Sequence, residues 1–329
     1  MRYSRQEIFI GTRNQKKLQK ALVTIVGCGG TGSAAAEYLA RAGVNLRLID
    51  RDIVEKSNLQ RQLYTEEDIG RPKADALKEH LEDVNGEIKI ESIADDLNSF
   101  NIDVLAGSSI VLDGTDNMQT RFLINDYCLK NKIAFTYGAA IKSEGLFTLI
   151  VPKETPCVRC FIPGGGSDTC ETVGVIGPVV GLIGTLSAAE AIKFLMGKEC
   201  IKGQIFHVNA YKNKFELIEL KKNKNCPACN GKYEFLDKPA SNLVQLCGGT
   251  YQILTDKIDV SNISNKLKKN KDFNVIKSTR NFSQIVHKSY IISLFKNRMI
   301  IQNTGSKDAK RQSLSEKEAK IIANKIIGK

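Results

Sequence analysis

The chain has 329 residues, 42% of them hydrophobic, and a formal net charge of +12. That length suits one large α/β domain plus a smaller one, and no stretch is expected to reach the roughly 20 apolar residues that cross a bilayer. The charge is unevenly placed: residues 1–220 carry 26 Lys+Arg against 28 Asp+Glu, and residues 221–329 carry 22 against 8. A neutral body with a basic appendage argues against a general nucleic-acid binder. The opening residues Met1 to Glu7 hold no apolar signal region, and nine cysteines, an odd number, do not form an evident disulfide framework. A cytoplasmic protein is the expectation.

In chain order, residues 4–13 read as a helix. The apolar run 22–27 leads into Gly27-Cys28-Gly29-Gly30-Thr31-Gly32 and then a helix over 32–43. A strand over 45–50 ends in Asp50. Residues 51–72 form a charged connection too long for an ordinary βα turn. A helix over 72–84 starts with Pro72 in its first turn, a place that suits proline. Strands come next at 88–93 and 109–113, then a helix at 117–131, and strands at 133–137 and 146–151. Residues 152–177, rich in Pro, Gly and Cys, read as a mobile functional loop. The helix over 178–197 is apolar on most faces and belongs in a core or a subunit interface. Strands at 205–209 and 215–220 close the series. This alternation predicts a Rossmann-like doubly wound mixed sheet over residues 1–236. Beyond it, strands at 251–254, 273–276, 289–295 and 299–301 and helices at 260–270 and 315–327 predict a small basic α+β domain over 237–329.

The glycine turn is a phosphate cradle. One glycine makes the turn, one lets the backbone approach an anion, and one lets helix pack on strand, while the helix N-terminus faces the ligand. With Asp50 at ribose distance, that alone suggests a nicotinamide or flavin oxidoreductase. The residues beyond Asp50 change the chemistry. Asp52, Glu55, Asn58, Gln60, Arg61, Gln62, Lys73, Asp116 and Asn117 are more than a hydride carrier needs. Arg61 and Lys73 suit a triphosphate, and Asp116 at a strand end suits Mg²⁺. The pairs Cys157-Val158-Arg159-Cys160 and Cys226-Pro227-Ala228-Cys229 have zinc-knuckle spacing, and together make a closed Cys₄ site. The 65 residues between them exceed a zinc ribbon, so zinc would clip the loop to the end of the first domain. A pair of redox motifs is the alternative, without a thioredoxin-like context to support it. Cys28, Cys128, Cys200 and Cys247 read as fillers of apolar space.

Arg2-Tyr3-Ser4-Arg5-Gln6, the turn 27–32, Asp50-Arg51-Asp52, Ser57 to Gln62, Gly70-Arg71-Pro72-Lys73-Ala74, Thr115-Asp116-Asn117 and both cysteine pairs come in the order and spacing of one family. Over roughly residues 1–235 the chain resembles the ThiF/MoeB branch of the ubiquitin-activating-enzyme superfamily. The resemblance implies adenylation by ATP of the C-terminal glycine carboxylate of a small ubiquitin-like or sulfur-carrier protein ending in Gly-Gly. It implies that Gly27, Gly29, Gly30 and Gly32 approach the nucleotide, with Gln62 and Asn117 beside it. Asp50 and Asp52 would serve the ribose side, Asn58, Arg61 and Lys73 the triphosphate, and Asp116 the Mg²⁺. It implies a homodimer in which Arg5 reaches the neighbouring subunit's site. Cys170, on the crossover loop, would take the acyl group as a thioester, or as an acyl-persulfide with a separate sulfur donor; an idle loop cysteine is the alternative. There are departures: no fused rhodanese pattern appears, and residues 237–329 match no assignable motif. The rivals are the oxidoreductase, a non-catalytic module that binds a ubiquitin-like protein, and a zinc-ribbon nucleic-acid binder.

Overall fold

A glycine splits the first expected helix in two. Helix α1 (Ser4–Ile10) stops at Gly11, whose φ of +79° lies in the left-handed region, and α2 (Thr12–Lys20) starts afresh. The computed structural model describes residues 2–162, 173–238, 242–245, 250–303 and 314–327. The chain falls into two units, Met1–Pro239 and Ala240–Lys329.

The first unit is built on an eight-stranded sheet in the order β3-β2-β1-β4-β5-β6-β7-β8. Strands β1 (Leu22–Val26), β2 (Asn45–Ile49), β3 (Ile90–Ile93), β4 (Ile110–Asp113) and β5 (Phe135–Ile141) are parallel neighbours. Strands β6 (Glu144–Ile150), β7 (Gln204–Asn209) and β8 (Lys214–Glu219) extend that sheet antiparallel. The central strands β1 and β4 are buried on both faces almost throughout, as strands covered on both sides are. One face packs on α2, α3 (Gly30–Arg41), α4 (Lys73–Val84) and α7 (Gly177–Met196) through Leu18, Ile25, Leu39, Leu77 and Ala188. The other packs on α5 (Met118–Asn131) and the short α6 (Val158–Phe161) through Val111, Phe122, Ile124, Phe135 and Val158. The doubly wound mixed sheet expected from the sequence is present.

Two details differ from expectation. Pro72 caps α4 rather than opening it, within the usual uncertainty of helix ends. And α7 is long and apolar enough, by length and composition, to cross a membrane. It packs instead against α3, β5 and β6, and Gly184 lets it approach Thr31 and Ala34 of α3 closely. Half of it is buried within this subunit, through Val179, Ile183, Ala188 and Ala191 among others. Residues 163–172, the middle of the expected mobile loop, lie outside the described residues.

The second unit is a six-stranded antiparallel sheet in the order β11-β12-β13-β14-β10-β9. Its strands are β9 (Leu243–Gln245), β10 (Tyr251–Leu254), β11 (Asn274–Ser278), β12 (Phe282–His287), β13 (Tyr290–Phe295) and β14 (Arg298–Asn303). Helices α8 (Val260–Leu267) and α9 (Glu316–Ile327) share one core with Ile285, Ile292, Met299 and Ile301. The α+β character matches the sequence reading, but β9 and β12 are additional to the expected strands. β9 is only three residues long, and Phe282-Ser283-Gln284-Ile285-Val286-His287 mixes polar and apolar residues without clean alternation.

Candidate functional site

Strands β1 and β4 lie side by side, yet their following helices pack on opposite faces. The crevice at their carboxyl ends is the topological switch point, where open α/β sheets bind ligands. The glycine turn occupies this crevice. Gly27 has φ +88°, and a Cβ there would stand 2.7 Å from the backbone of Gly114. No other residue fits. α3 then begins at Gly30, and its first amides face the crevice with the positive end of the helix dipole.

Asp50 closes the turn from the end of β2. Its Oδ2 accepts from the Cys28 N–H at 2.6 Å and its Oδ1 from the Asp52 N–H at 2.7 Å. Burial pushes its carboxyl up to about 6 despite the Lys73 ammonium nearby. Lys73, 6% exposed at the start of α4, sets its Nζ 3.0 Å from Asp52 Oδ2. Burial works against that ammonium, but Asp52 and then Asp50 outweigh it and raise its pKa above the ordinary lysine range. The Tyr64 hydroxyl donates to the carbonyls of Cys28 and Lys73, at 2.8 and 3.2 Å, and ties the turn to α4.

The connection 51–72 wraps this centre with two single-turn 3₁₀ segments, Lys56–Asn58 and Glu66–Asp68. Asn58 is buried, and its Oδ1 accepts from the Glu55 N–H as part of a capping box. The Arg61 backbone approaches Gly30, while its Nη1 donates to the Ser57 carbonyl at 2.8 Å. Gln62 lies against Gly29, and its buried Oε1 has no hydrogen-bond partner among the described residues. A cleft of about 340 Å³ opens beside this segment, lined among others by Gly30, Arg61, Gln62, Leu63, Gly177 and Pro178. Asp116 is exposed just past β4, close enough to Lys73 and Arg51 to act on both electrostatically. The Asn117 side chain caps α5 by accepting from the Thr120 N–H at 2.9 Å.

The structure thus gathers the glycines, Asp50, Asp52, Lys73 and Asp116 at one crevice, with Asn58, Arg61 and Gln62 on its flank. Arg5 is exposed on α1, and no hydrogen bond or ion pair joins it to these residues among the described residues. Cys170 and Cys247 lie outside the described residues. Cys28 and Cys128 are buried, as expected of space fillers, and burial raises the pKa of both. Cys200 is half-buried beside the Lys198 carbonyl. Two residues escape the sequence reading. Arg51 pairs with Asp96 at 3.0 Å, and Arg121 is buried beneath the turn that carries Asp116. The signal for the second is there: an arginine leading the apolar run Phe122-Leu123-Ile124 has no place to keep its charge in water.

A second centre lies on the opposite face. The sulfurs of Cys157, Cys160, Cys226 and Cys229 all fall within 4.8 Å of one another. Cys157 lies 3.9 Å from Cys160 and 3.5 Å from Cys226, and Cys160 lies 3.5 Å from Cys229. A tetrahedron with metal–sulfur bonds of about 2.3 Å has edges of about 3.8 Å, so the donor set fits a four-coordinate thiophilic cation. S–H donation from the neighbouring thiols, Cys157 first, holds the Cys229 thiol below the ordinary cysteine range, as suits a cluster that gives up protons to bind a metal.

The profile of the ThiF family matches residues 3–228. The chain belongs to the ThiF family. It is 38% identical over 285 residues to the sulfur carrier protein ThiS adenylyltransferase of Bacillus subtilis, covering 81% of this chain and 84% of that protein. It is 41% identical over 239 residues to the protein of the same name from Escherichia coli, covering 70% of this chain and 95% of that protein. Among solved structures, E. coli MccB with ATP superposes with a TM-score of 0.62 at 25% identity, covering 69% of this chain and 74% of that one. This ThiF-family chain is an adenylyltransferase, and its ATP-using chemistry excludes the oxidoreductase reading of the glycine turn.

Proposed function

We propose that this enzyme activates the C-terminal glycine carboxylate of a small ubiquitin-like sulfur carrier of the ThiS type, ending in Gly-Gly. The carboxylate oxygen attacks the α-phosphorus of ATP. A C–O–P linkage forms, the bond from the α-phosphorus to its bridging oxygen breaks, and pyrophosphate leaves. The nucleophile is already ionised at neutral pH, so no general base is needed; positioning and charge neutralisation are the catalysis. The observation that carries this reading is the buried Lys73 ammonium at the rim of the glycine turn, a fixed positive charge where a triphosphate would lie. Gly27, Gly29, Gly30 and Gly32 let the backbone meet the nucleotide, and Asp50, with Asp52 behind it, accepts from the ribose hydroxyls. Asn58, Arg61, Gln62 and Lys73 hold the phosphates, with Asn117 fixing the start of α5 beside them. Asp116 would hold Mg²⁺, which neutralises the leaving pyrophosphate when bound. The four cysteines would hold Zn²⁺ as a closed structural clip.

We also assign this enzyme a homodimeric state, with Arg5 completing the partner's site. Ile8 and Phe9, three and four residues on, are 78% and 90% exposed, apolar area that a lone subunit leaves in water. Cys170 is assigned the second step. Its thiolate takes the acyl group from the adenylate and AMP departs, leaving a thioester for a separate sulfur donor. The cytoplasm suits these free thiols. Carrier-dependent exchange of labelled pyrophosphate into ATP tests the first step. Exchange that Asp116→Ala abolishes is the expected result, and exchange unchanged in that variant would overturn the site assignment. For the second step, a thiol-labile conjugate that survives Cys170→Ala would remove that residue's role.

A further inference from the structure

Asp116 is an exposed member of the proposed site, and among the described residues no hydrogen bond holds its carboxylate. Something else has to fix its direction. β4 ends at Asp113, and the chain then turns through Gly114, Thr115 and Asp116 into α5. From one side, Asp113 Oδ1 accepts from the Thr115 N–H at 2.9 Å and from its hydroxyl at 2.6 Å. From below comes Arg121, 6% exposed on α5. Its Nη2 donates to the Thr115 carbonyl and, at 2.8 Å, to the Gly138 carbonyl of β5. Its Nε stands 3.6 Å from Asp113 Oδ2, and its guanidinium lies 4.7 Å from the centre of the Tyr137 ring.

The Thr115 carbonyl belongs to the same planar peptide as the Asp116 N–H. Grasping that carbonyl sets the tilt of the peptide, and with it the direction in which the Asp116 side chain leaves the backbone. The rigid fork of an arginine can do this while gripping a second strand; a lysine can offer only a point charge. Stability alone does not explain the residue. A buried ion pair is about break-even against an apolar replacement of the same volume, and here the Arg121 Nε makes no hydrogen bond.

We propose that Arg121 is a positioning residue: by holding the Thr115 carbonyl against β5, it aims Asp116 at the divalent cation that accompanies ATP. This rests on the reading of Asp116 as the cation-binding carboxylate. The test measures the Mg²⁺ concentration that half-saturates pyrophosphate exchange in the full-length wild type, Arg121→Met, Arg121→Lys and Asp116→Asn. Thermal melting and metal-free ATP binding by calorimetry are followed alongside. The expected result is a rise in half-saturating Mg²⁺ of about tenfold or more in Arg121→Met, smaller in Arg121→Lys, with metal-free ATP binding little changed. Should Arg121→Met fail to fold, Arg121→Lys, which keeps the charge and loses the fork, carries the test. Lower melting with an unaltered Mg²⁺ requirement in both Arg121 variants would reduce the residue to a structural role and overturn the proposal. If Asp116→Asn raises the Mg²⁺ requirement while the Arg121 variants do not, the positioning proposal alone fails. An unaltered requirement in Asp116→Asn sinks the cation assignment beneath it.

Discussion

Burial and hydrogen bonding pull the Asp50 carboxyl in opposite directions. Desolvation raises it; Lys73 and the N–H groups of Asp52 and Cys28 lower it; Asp52 raises it again; the balance is about 6. The folded value lies above the roughly 3.9 of an unfolded aspartate, so the folded protein holds this proton more tightly between about pH 4 and 6. Stability from this group therefore falls as pH rises through that window, by about 3 kcal/mol in all, and is flat above it. Under the proposed ribose role, function runs the other way, because only an ionised carboxylate would accept from both ribose hydroxyls. ATP affinity should hold steady above about pH 6 and weaken nearly tenfold per unit below it. Comparing wild type with Asp50→Asn by calorimetry cancels the titration of the phosphates themselves. The variant should bind weakly with no such break. Parallel pH profiles would show that Asp50 does not govern the site.

Helix α5 serves both centres. Its N-cap follows Asp116, and two turns further on Asn125 and Asp126, both buried, secure the cysteine segments. Asn125 Oδ1 accepts from the Val158 N–H at 3.0 Å, between Cys157 and Cys160. Asp126 Oδ2 accepts from the Phe235 N–H at 3.1 Å, beyond Cys229, and pairs with Arg159 at 3.3 Å. Groups behind the ligands orient them, and losing such groups commonly costs 10–100-fold in metal affinity. Under the proposed zinc assignment, Asn125→Ala and Asp126→Asn should therefore release the metal to a chelator at concentrations at least tenfold lower than wild type, as followed by a colorimetric zinc indicator. Unchanged release would mean that the cysteines hold their geometry unaided. The ligands themselves are legible in the sequence, because a CxxC pair is local and its spacing alone fixes the bite. The glycine turn is legible for the same reason. Asn125 and Asp126 are not, since the backbone groups they hold are 33 and 109 residues away, which no local pattern encodes. Arg121 shows only as a charge at the head of an apolar run, and its grip on Gly138, 17 residues on, is equally hidden. Helix α2 is hidden by its polar surface: of its nine residues only Gln15 and Leu18 are buried, so its apolar stripe is a single leucine.

At the scale of the whole molecule, the two units are unlike in charge as well as in architecture. Residues 240–329 carry 17 Lys+Arg against 6 Asp+Glu, while the first 220 residues are nearly balanced. The E. coli ThiS adenylyltransferase aligns over 95% of its length with only 70% of this chain, so a protein about the size of the first unit bears that activity's name. The Bacillus relative aligns with 81% of this chain, which exceeds the first unit and runs into the second. The first unit also has its own cores on both sheet faces and its own cysteine centre. We therefore expect residues 1–239 to fold alone and to retain kcat for pyrophosphate exchange within about threefold. The basic second unit would act on the encounter with the carrier. Surface charges attract an acidic partner over about 10 Å at 0.1 M salt and over about 30 Å at 0.01 M. Removing the unit should accordingly raise KM for the carrier most at low ionic strength, with the full-length and shortened enzymes converging as salt is added. KM for ATP should stay the same in both. A shortened enzyme whose carrier KM matches the full chain at every salt concentration would deny the second unit any part in recruitment, while a loss of exchange altogether would place it within the catalytic body.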